Sequence, residues 1–372
     1  MLVGISSALQ ADADVVREST ISVANQHFDY VYRWADPEVK PRAVAVIVHG
    51  LTMHGLVYDA FARHLAKLGI IVYAPDLRGY GRWYKEVATF DNATIVHTDP
   101  AFLVSAPDFP QDSSIQQGST FCQPMQNRKT PELRSEIDYD KSRADLLELV
   151  TALKNEHPDL PLYCMGESMG AGFAMYAAAE KPDCVDGLIL SSPAIKRRLH
   201  LFSRVALDVS KGFASPKKEL DLSRYIRCFA SRDNQVIDEV LSDPLVRKRM
   251  SLVDLLKTLQ AIRPNLKYAE RIGANTPVLI IQGKDDQILR ADAVMQLMAH
   301  LNTSDDTVRW FKHKGHLILE TAYLQPDADA LNTIDTWIER VLHNSHYSLP
   351  ISVSYEIHEQ LPAHCELAVY SN

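Results

Sequence analysis

From Val44 onward, short apolar runs alternate with longer amphipathic ones. AVAVIV (43–48) is nearly continuous in its apolar character, the pattern of a strand buried on both faces. VYDAFARHLAKLG (57–69) spaces its apolar residues as a helix does and ends in a glycine suited to a C-cap. IIVYAPD (70–76) predicts a second strand, and SRADLLELVTALKN (142–155) a second helix. LPLYCMG (160–166) and the small-residue stretch after it form the next pair. GLILSSPA (187–194), PVLIIQGKDD (277–286) and TVRWFKHKG (307–315) continue the strands, and DADALNTIDTWIERVLHN (327–344) predicts a closing amphipathic helix. This βαβα alternation predicts an α/β fold: a mainly parallel central sheet with helices on both faces.

Three stretches interrupt the rhythm. Residues 84–134 are rich in Asp, Pro, Ser, Gln and Thr and show no clear period, which is too long for a plain connection. Residues 195–276 show helical patterns without strands and predict an inserted helical cap. The tail contains ISVSYEI, whose period-two alternation suggests an added strand. The expected organisation is a core of residues 1–194 and 277–343 carrying the irregular insertion 84–134, a cap at 195–276, and a C-terminal extension at 344–372.

Composition narrows the class of protein. The 372 residues are 46% hydrophobic and 23% charged, as in an ordinary soluble globular chain. A net charge of −8 argues against nucleic acid as a partner of the whole chain. No run approaches the roughly 18–20 apolar residues that span a bilayer. MLVGISSALQADA has no Lys or Arg before its apolar part and reads as a loose arm, not a signal peptide. The five cysteines (Cys122, Cys164, Cys184, Cys228 and Cys365) are scattered and unlike any CxxC spacing. Reduced thiols in a cytoplasmic protein, with no zinc site, are expected.

Candidate chemistry gathers around GESMG (166–170). Its glycines permit a tight strand-to-helix reversal, which lifts Ser168 to the carboxyl end of a strand and the start of a helix. G-x-S-x-G alone arises by chance in about one chain in ten of this length. A serine hydroxyl needs a base, and the base an orienting carboxylate, each following a later strand. PVLIIQG runs into Asp285 and Asp286, and TVRWFKHKG ends just before His316. The G-x-x-D turn from Gly283 favours Asp286, with Asp285 as the fallback. VIVHGL adds a loop whose Leu51 N–H, together with that of Met169, would form an oxyanion hole. His49 is expected only to brace that loop, His54 to lie at the pocket mouth or in solvent, and His313 to be structural or exposed. Neither metal nor organic cofactor is required.

HG (49–50), YAPDLRGYG (73–81), GESMGA (166–171), SRD…SDPLV (231–246), GKDD (283–286) and KGHLILE (314–320) together resemble the α/β-hydrolase superfamily. The closest similarity is to its monoacylglycerol lipase and lysophospholipase group, over residues 40–343. The resemblance implies an α/β-hydrolase fold with a cap. It also implies hydrolysis of a lipid carboxylic ester through an acyl-serine, with Ser168, Asp286 and His316 as the triad and Leu51 and Met169 as oxyanion donors. Arg82-Trp83 and the insertion after them depart from the family pattern. An acyltransferase or thioesterase using the same triad is the alternative enzyme. A non-catalytic binding protein would require a damaged triad, and none is visible.

The segment 195–276 holds 17 Lys+Arg against 9 Asp+Glu, a net of +8 within a chain of net −8. KRR (196–198), KK (217–218) and RKR (247–249), interleaved with apolar residues, would suit peripheral docking on an anionic lipid surface. A solvated cap with ordinary surface charge is the competing expectation. The oligomeric state is left open.

Overall fold

In the computed structural model, which describes residues 15–18, 21–84, 136–196, 216–231, 234–290, 292–319 and 328–344, the apolar runs become strands of one central sheet. The chain first forms β1 (Val16–Glu18), the pair β2 (Ile21–Val23) and β3 (Gln26–Phe28), and β4 (Val31–Ala35). None of these four is predicted above. β1 to β3 have three residues each, too few to show alternation, and Arg33 breaks the apolar run of the five-residue β4.

The six longer runs follow as β5 (Ala43–Val48), β6 (Ile70–Pro75), β7 (Leu162–Glu167), β8 (Gly187–Ser191), and then, after β9 (Glu219–Asp221) and β10 (Arg249–Ser251), β11 (Val278–Gly283) and β12 (Asp306–Phe311). The eight-stranded sheet has the order β1-β4-β6-β5-β7-β8-β11-β12. Every pairing from β6 to β12 is parallel, while β4 pairs antiparallel with both β6 and β1.

Alternate side chains of each strand enter two different cores. Ala45, Ile47, Met165, Ile189 and Ile281 pack on the face covered by α1 (Asp59–Lys67) and the last helix, Ala328–Asn344. Val46, Val48, Cys164, Leu190 and Ile280 pack on the other face, against α2 (Tyr139–Glu156), α3 (Met169–Glu180) and the helix Asp292–Met298. This accounts for the near-continuous apolar strands, since neither face meets water. The N-terminus of α2 is capped by the Asp138 carboxylate, which accepts from the Lys141 N–H at 3.0 Å.

Between β8 and β11 the described residues form the helices Ser223–Phe229, Asn234–Ser242, Leu252–Ile262 and Asn265–Ala269. The expectation of helices without strands is corrected there, because β9 and β10 pair antiparallel, Leu220 opposite Met250. In the basic cluster 247–249, Arg249 is exposed but Arg247 and Lys248 differ from their reading as part of a lipid-facing patch. Arg247 is 2% exposed. Its guanidinium donates to the Gly79 and Arg249 carbonyls and to Asp254, and its backbone N–H donates to the Thr52 carbonyl at 2.8 Å. Lys248 donates to the carbonyls of Leu241 and Asp243. Segment 217–218 is exposed. The N-terminal arm, residues 85–134, the tail after 344, Arg197, Arg198, Cys122 and Cys365 lie outside the described residues. Cys164, Cys184 and Cys228 are free thiols. No described helix is long and apolar enough to cross a membrane.

Candidate active site

The carboxyl ends of β5, β7, β8, β11 and β12 meet along one edge of the sheet, where the parallel strands release their loops. At the end of β7 the chain reverses into α3 through Ser168, whose φ of +57° and ψ of −114° are strained for a residue with a side chain. Two glycines make the reversal possible. A Cβ on Gly166 would stand 2.3 Å from the Gly170 carbonyl oxygen, and one on Gly170 would stand 1.9 Å from that of Val48. The Ser168 N–H donates to the Ser191 carbonyl and its own carbonyl accepts from Ala194, so the turn is tied to β8 and its exit. Met169 opens α3, and a first-turn amide has no partner within its helix.

Leu51 follows the His49-Gly50 pair at the end of β5. His49 is fully buried. Its Nδ1 bonds the Gly50 carbonyl at 2.8 Å and its Nε2 accepts from the Leu77 N–H at 3.0 Å. The Met53 N–H also donates to the Gly50 carbonyl. In a planar trans peptide the C=O and N–H point opposite ways, so anchoring the Gly50 carbonyl aims the Leu51 N–H away from it. Burial drives His49 down to about 4, against the pull of the Gly50 carbonyl, so the ring is neutral at physiological pH and can accept at Nε2. His54 lies neither at a pocket mouth nor in solvent. It is fully buried, with Nε2 at 2.9 Å from Asp243 Oδ2. His313 is exposed in the turn after β12, at a φ of +63°.

Asp286 and His316 leave the adjacent strands β11 and β12, and their loops are stitched together. The Lys284 N–H donates to the Phe311 carbonyl and the Asp285 N–H to the Lys314 carbonyl, each at 3.0 Å. A Cβ on Gly283 would sit 2.1 Å from the Gly315 carbonyl oxygen, so only glycine permits the approach. The carboxylate that meets the imidazole is that of Asp286, not Asp285: His316 Nδ1 lies 2.8 Å from Asp286 Oδ2, with both side chains buried. Asp286 Oδ2 also accepts from Gln282 Nε2, and Oδ1 from the Ile288 and Leu289 amides.

Burial alone would raise the Asp286 carboxyl, but the His316 charge and hydrogen bond, with the Leu289 and Ile288 amides, hold it below the usual range. Burial likewise pulls His316 down. The Asp286 charge and hydrogen bond outweigh it, so the imidazole sits above its ordinary value. With Nδ1–H donating to Asp286, Nε2 keeps its lone pair.

The elbow and the histidine loop meet through a residue that sequence reasoning quoted but gave no role. Glu167 is fully buried, and its Oε1 accepts from the Ile318 N–H at 2.7 Å, the Leu319 N–H at 2.9 Å, and the Ser191 hydroxyl. Ser192, at a φ of +40°, donates its hydroxyl to the His316 carbonyl at 2.7 Å. Gln282 and Ser192 also carried no role in the sequence reading. The one available signal was a carboxylate closing the apolar run LYCMGE. Among the described residues the Ser168 hydroxyl makes no hydrogen bond to His316. Such bonds are commonly long before substrate arrives.

Comparison with known proteins gives a consistent picture. A family model described as serine aminopeptidase, S33 (Hydrolase_4) matches residues 39–111 and 129–321. A monoglyceride lipase homolog of Monkeypox virus is 26% identical over 86% of this chain and 98% of its own. The monoglyceride lipase of Rattus norvegicus is 23% identical over 90% of this chain and 94% of its own. Among solved structures, a soluble variant of monoglyceride lipase from Saccharomyces cerevisiae, in complex with a substrate analog, superposes with a TM-score of 0.61. It is 17% identical, covering 87% of this chain and 96% of that one.

Proposed function

Because the chain belongs to the Hydrolase_4 (serine aminopeptidase, S33) family and has an α/β-hydrolase fold, we propose that it is a serine hydrolase of lipid carboxylic esters, of the monoacylglycerol type. The family description says aminopeptidase, but the relatives that align along most of the chain carry lipase names, which favours an ester over a peptide. Those names do not favour the acyltransferase or thioesterase alternative. The observation that carries the chemistry is the buried His316–Asp286 pair at 2.8 Å, on the same sheet edge as a serine in a strained strand-to-helix turn.

Ser168 is the nucleophile. His316 Nε2 takes its proton as Oγ attacks the ester carbonyl, while Asp286 holds the ring and stabilises the imidazolium. The Leu51 and Met169 amides hold the oxyanion, each donor contributing about 3–4 kcal/mol to the barrier reduction. His316 then protonates the leaving glycerol oxygen, and water repeats the sequence on the acyl-enzyme. The helices between β8 and β11 form the cap over this edge. The cap's net charge supports peripheral contact with an anionic lipid surface, and Lys196, Lys217, Lys218, Arg224, Arg249, Arg263 and Lys267 are among its described cations that are exposed and available for that role.

The test is Ser168→Ala with a short p-nitrophenyl ester and with monoacylglycerols of graded chain length. Turnover should vanish on every substrate, and a fluorophosphonate probe should label wild type but not the variant. Near-wild-type turnover by the variant would refute the assignment.

A further inference from the structure

A carboxylate in a fully buried position is costly unless hydrogen bonds replace its water. Glu167 is such a group, and three donors converge on its Oε1. Two are backbone amides of consecutive residues, Ile318 and Leu319, that lie on the histidine loop just after His316. The third is the hydroxyl of Ser191, the last residue of β8. The loop is also held by the Ser192 hydroxyl on the His316 carbonyl and by the Ala230 carbonyl, which accepts from the Leu317 N–H at 3.2 Å. The Asp285 N–H holds the Lys314 carbonyl as well, but the grip of Glu167 comes from the residue covalently joined to Ser168.

We propose that Glu167 is a positioning residue, which fixes the loop carrying His316 to the peptide that carries Ser168 and so sets the approach of base to nucleophile. The inference rests on the assignment of Ser168 and His316 given above. Its physical basis is leverage. Residues 312–319 form a connection beyond the end of β12, past the last ladder pair with β11, so its placement depends on contacts such as these and not on the strand ladder. Two amides bound to one carboxylate oxygen remove the freedom that a single contact would leave. A carboxylate accepts them more strongly than a neutral side chain does. The charged groups that face the imidazole are Asp286, from the loop after β11, and Glu167, from the elbow. After burial and Asp286, Glu167 also favours the protonated ring.

Glu167→Gln keeps the shape and one acceptor oxygen but loses the charge. In the otherwise intact chain we expect kcat to fall ~10- to 100-fold, the loss typical of slightly misplaced reacting groups, with KM nearly unchanged. The acid limb of the kcat/KM profile should move to lower pH. A folded Glu167→Gln enzyme with wild-type kcat and an unmoved acid limb would overturn the proposal. Should that variant fail to fold, wild-type hydrogen exchange decides instead. The Ile318 and Leu319 amides should exchange as slowly as those of β12, and exchange as fast as free loop amides would overturn the clamp. Fluorophosphonate labelling of wild-type Ser168 separates the two readings: its absence removes the assignment beneath the proposal, whereas normal labelling with an indifferent Glu167→Gln removes the proposal alone.

Discussion

Asp286 and His316 show how a few ångströms divide two neighbouring residues with the same chemistry. Asp285 and Asp286 are both aspartates on one turn, yet only Asp286 bonds Nδ1 of the imidazole, while the amide of Asp285 is used in stitching the loop to Lys314. Asp286→Asn preserves volume but removes the charge and favours the wrong tautomer, so kcat should drop about 10⁴-fold. The pH dependence follows from the sign of the shift. As the proposed base His316 would act only when neutral, and its pKa is raised, so activity should be lost as pH falls through that raised value. Removing the Asp286 charge should move the residual acid limb to lower pH. A pH series of kcat/KM on both proteins measures this, and an unmoved limb would remove Asp286 from its role. At this scale the triad candidates were legible because each lies just after an apolar run. Glu167 was not assigned a role, because its donors include backbone amides 151 and 152 residues away that no side-chain pattern reveals.

Elements with enough length to repeat their pattern were predicted within a few residues. The run 307–315 is the instructive case: β12 ends at Phe311, and the remaining residues turn back to present His316. Strands β1 to β3, β9 and β10 were not predicted because three residues cannot establish a period, and β4 was not because Arg33 interrupts its apolar run, whereas the equally short β8 has an unbroken apolar run. The basic triplet 247–249 misled for a related reason, since charge content says nothing of direction. Arg247 joins the segment between β8 and β11 to the loop after β6, through the Gly79 carbonyl, and to Asp254 in the capping box of the helix Leu252–Ile262. Arg247→Met would leave the Asp254 carboxylate and that carbonyl buried with one donor fewer. A loss of about 3–5 kcal/mol is expected in urea unfolding. A loss below 1 kcal/mol would show that the buried network is incidental.

Over the whole molecule, one two-faced sheet carries every candidate group to the same edge. The structural neighbour from yeast shares this fold at only 17% identity, because strand order and packing tolerate wide sequence change. Charge is the property that belongs most to this scale. With Arg247 and Lys248 engaged inside the fold, lipid docking by the cap has fewer cations than its composition promised. Co-sedimentation with anionic vesicles should therefore be weak, fall as salt is raised, and fall further in Lys217→Glu/Lys218→Glu. Salt-independent binding would sink electrostatic docking.

By itself the sequence determined the α/β alternation, the elbow around Ser168, and the places of Asp286 and His316 after later strands. These depend on local periodicity and on the steric needs of glycine, which are properties of short stretches. Only the tertiary structure decided which aspartate meets the imidazole, that Arg247 turns inward, and that Glu167 grips the histidine loop. Those outcomes depend on hydrogen bonds between segments far apart in the chain, where direction and burial, not residue type, choose the partner.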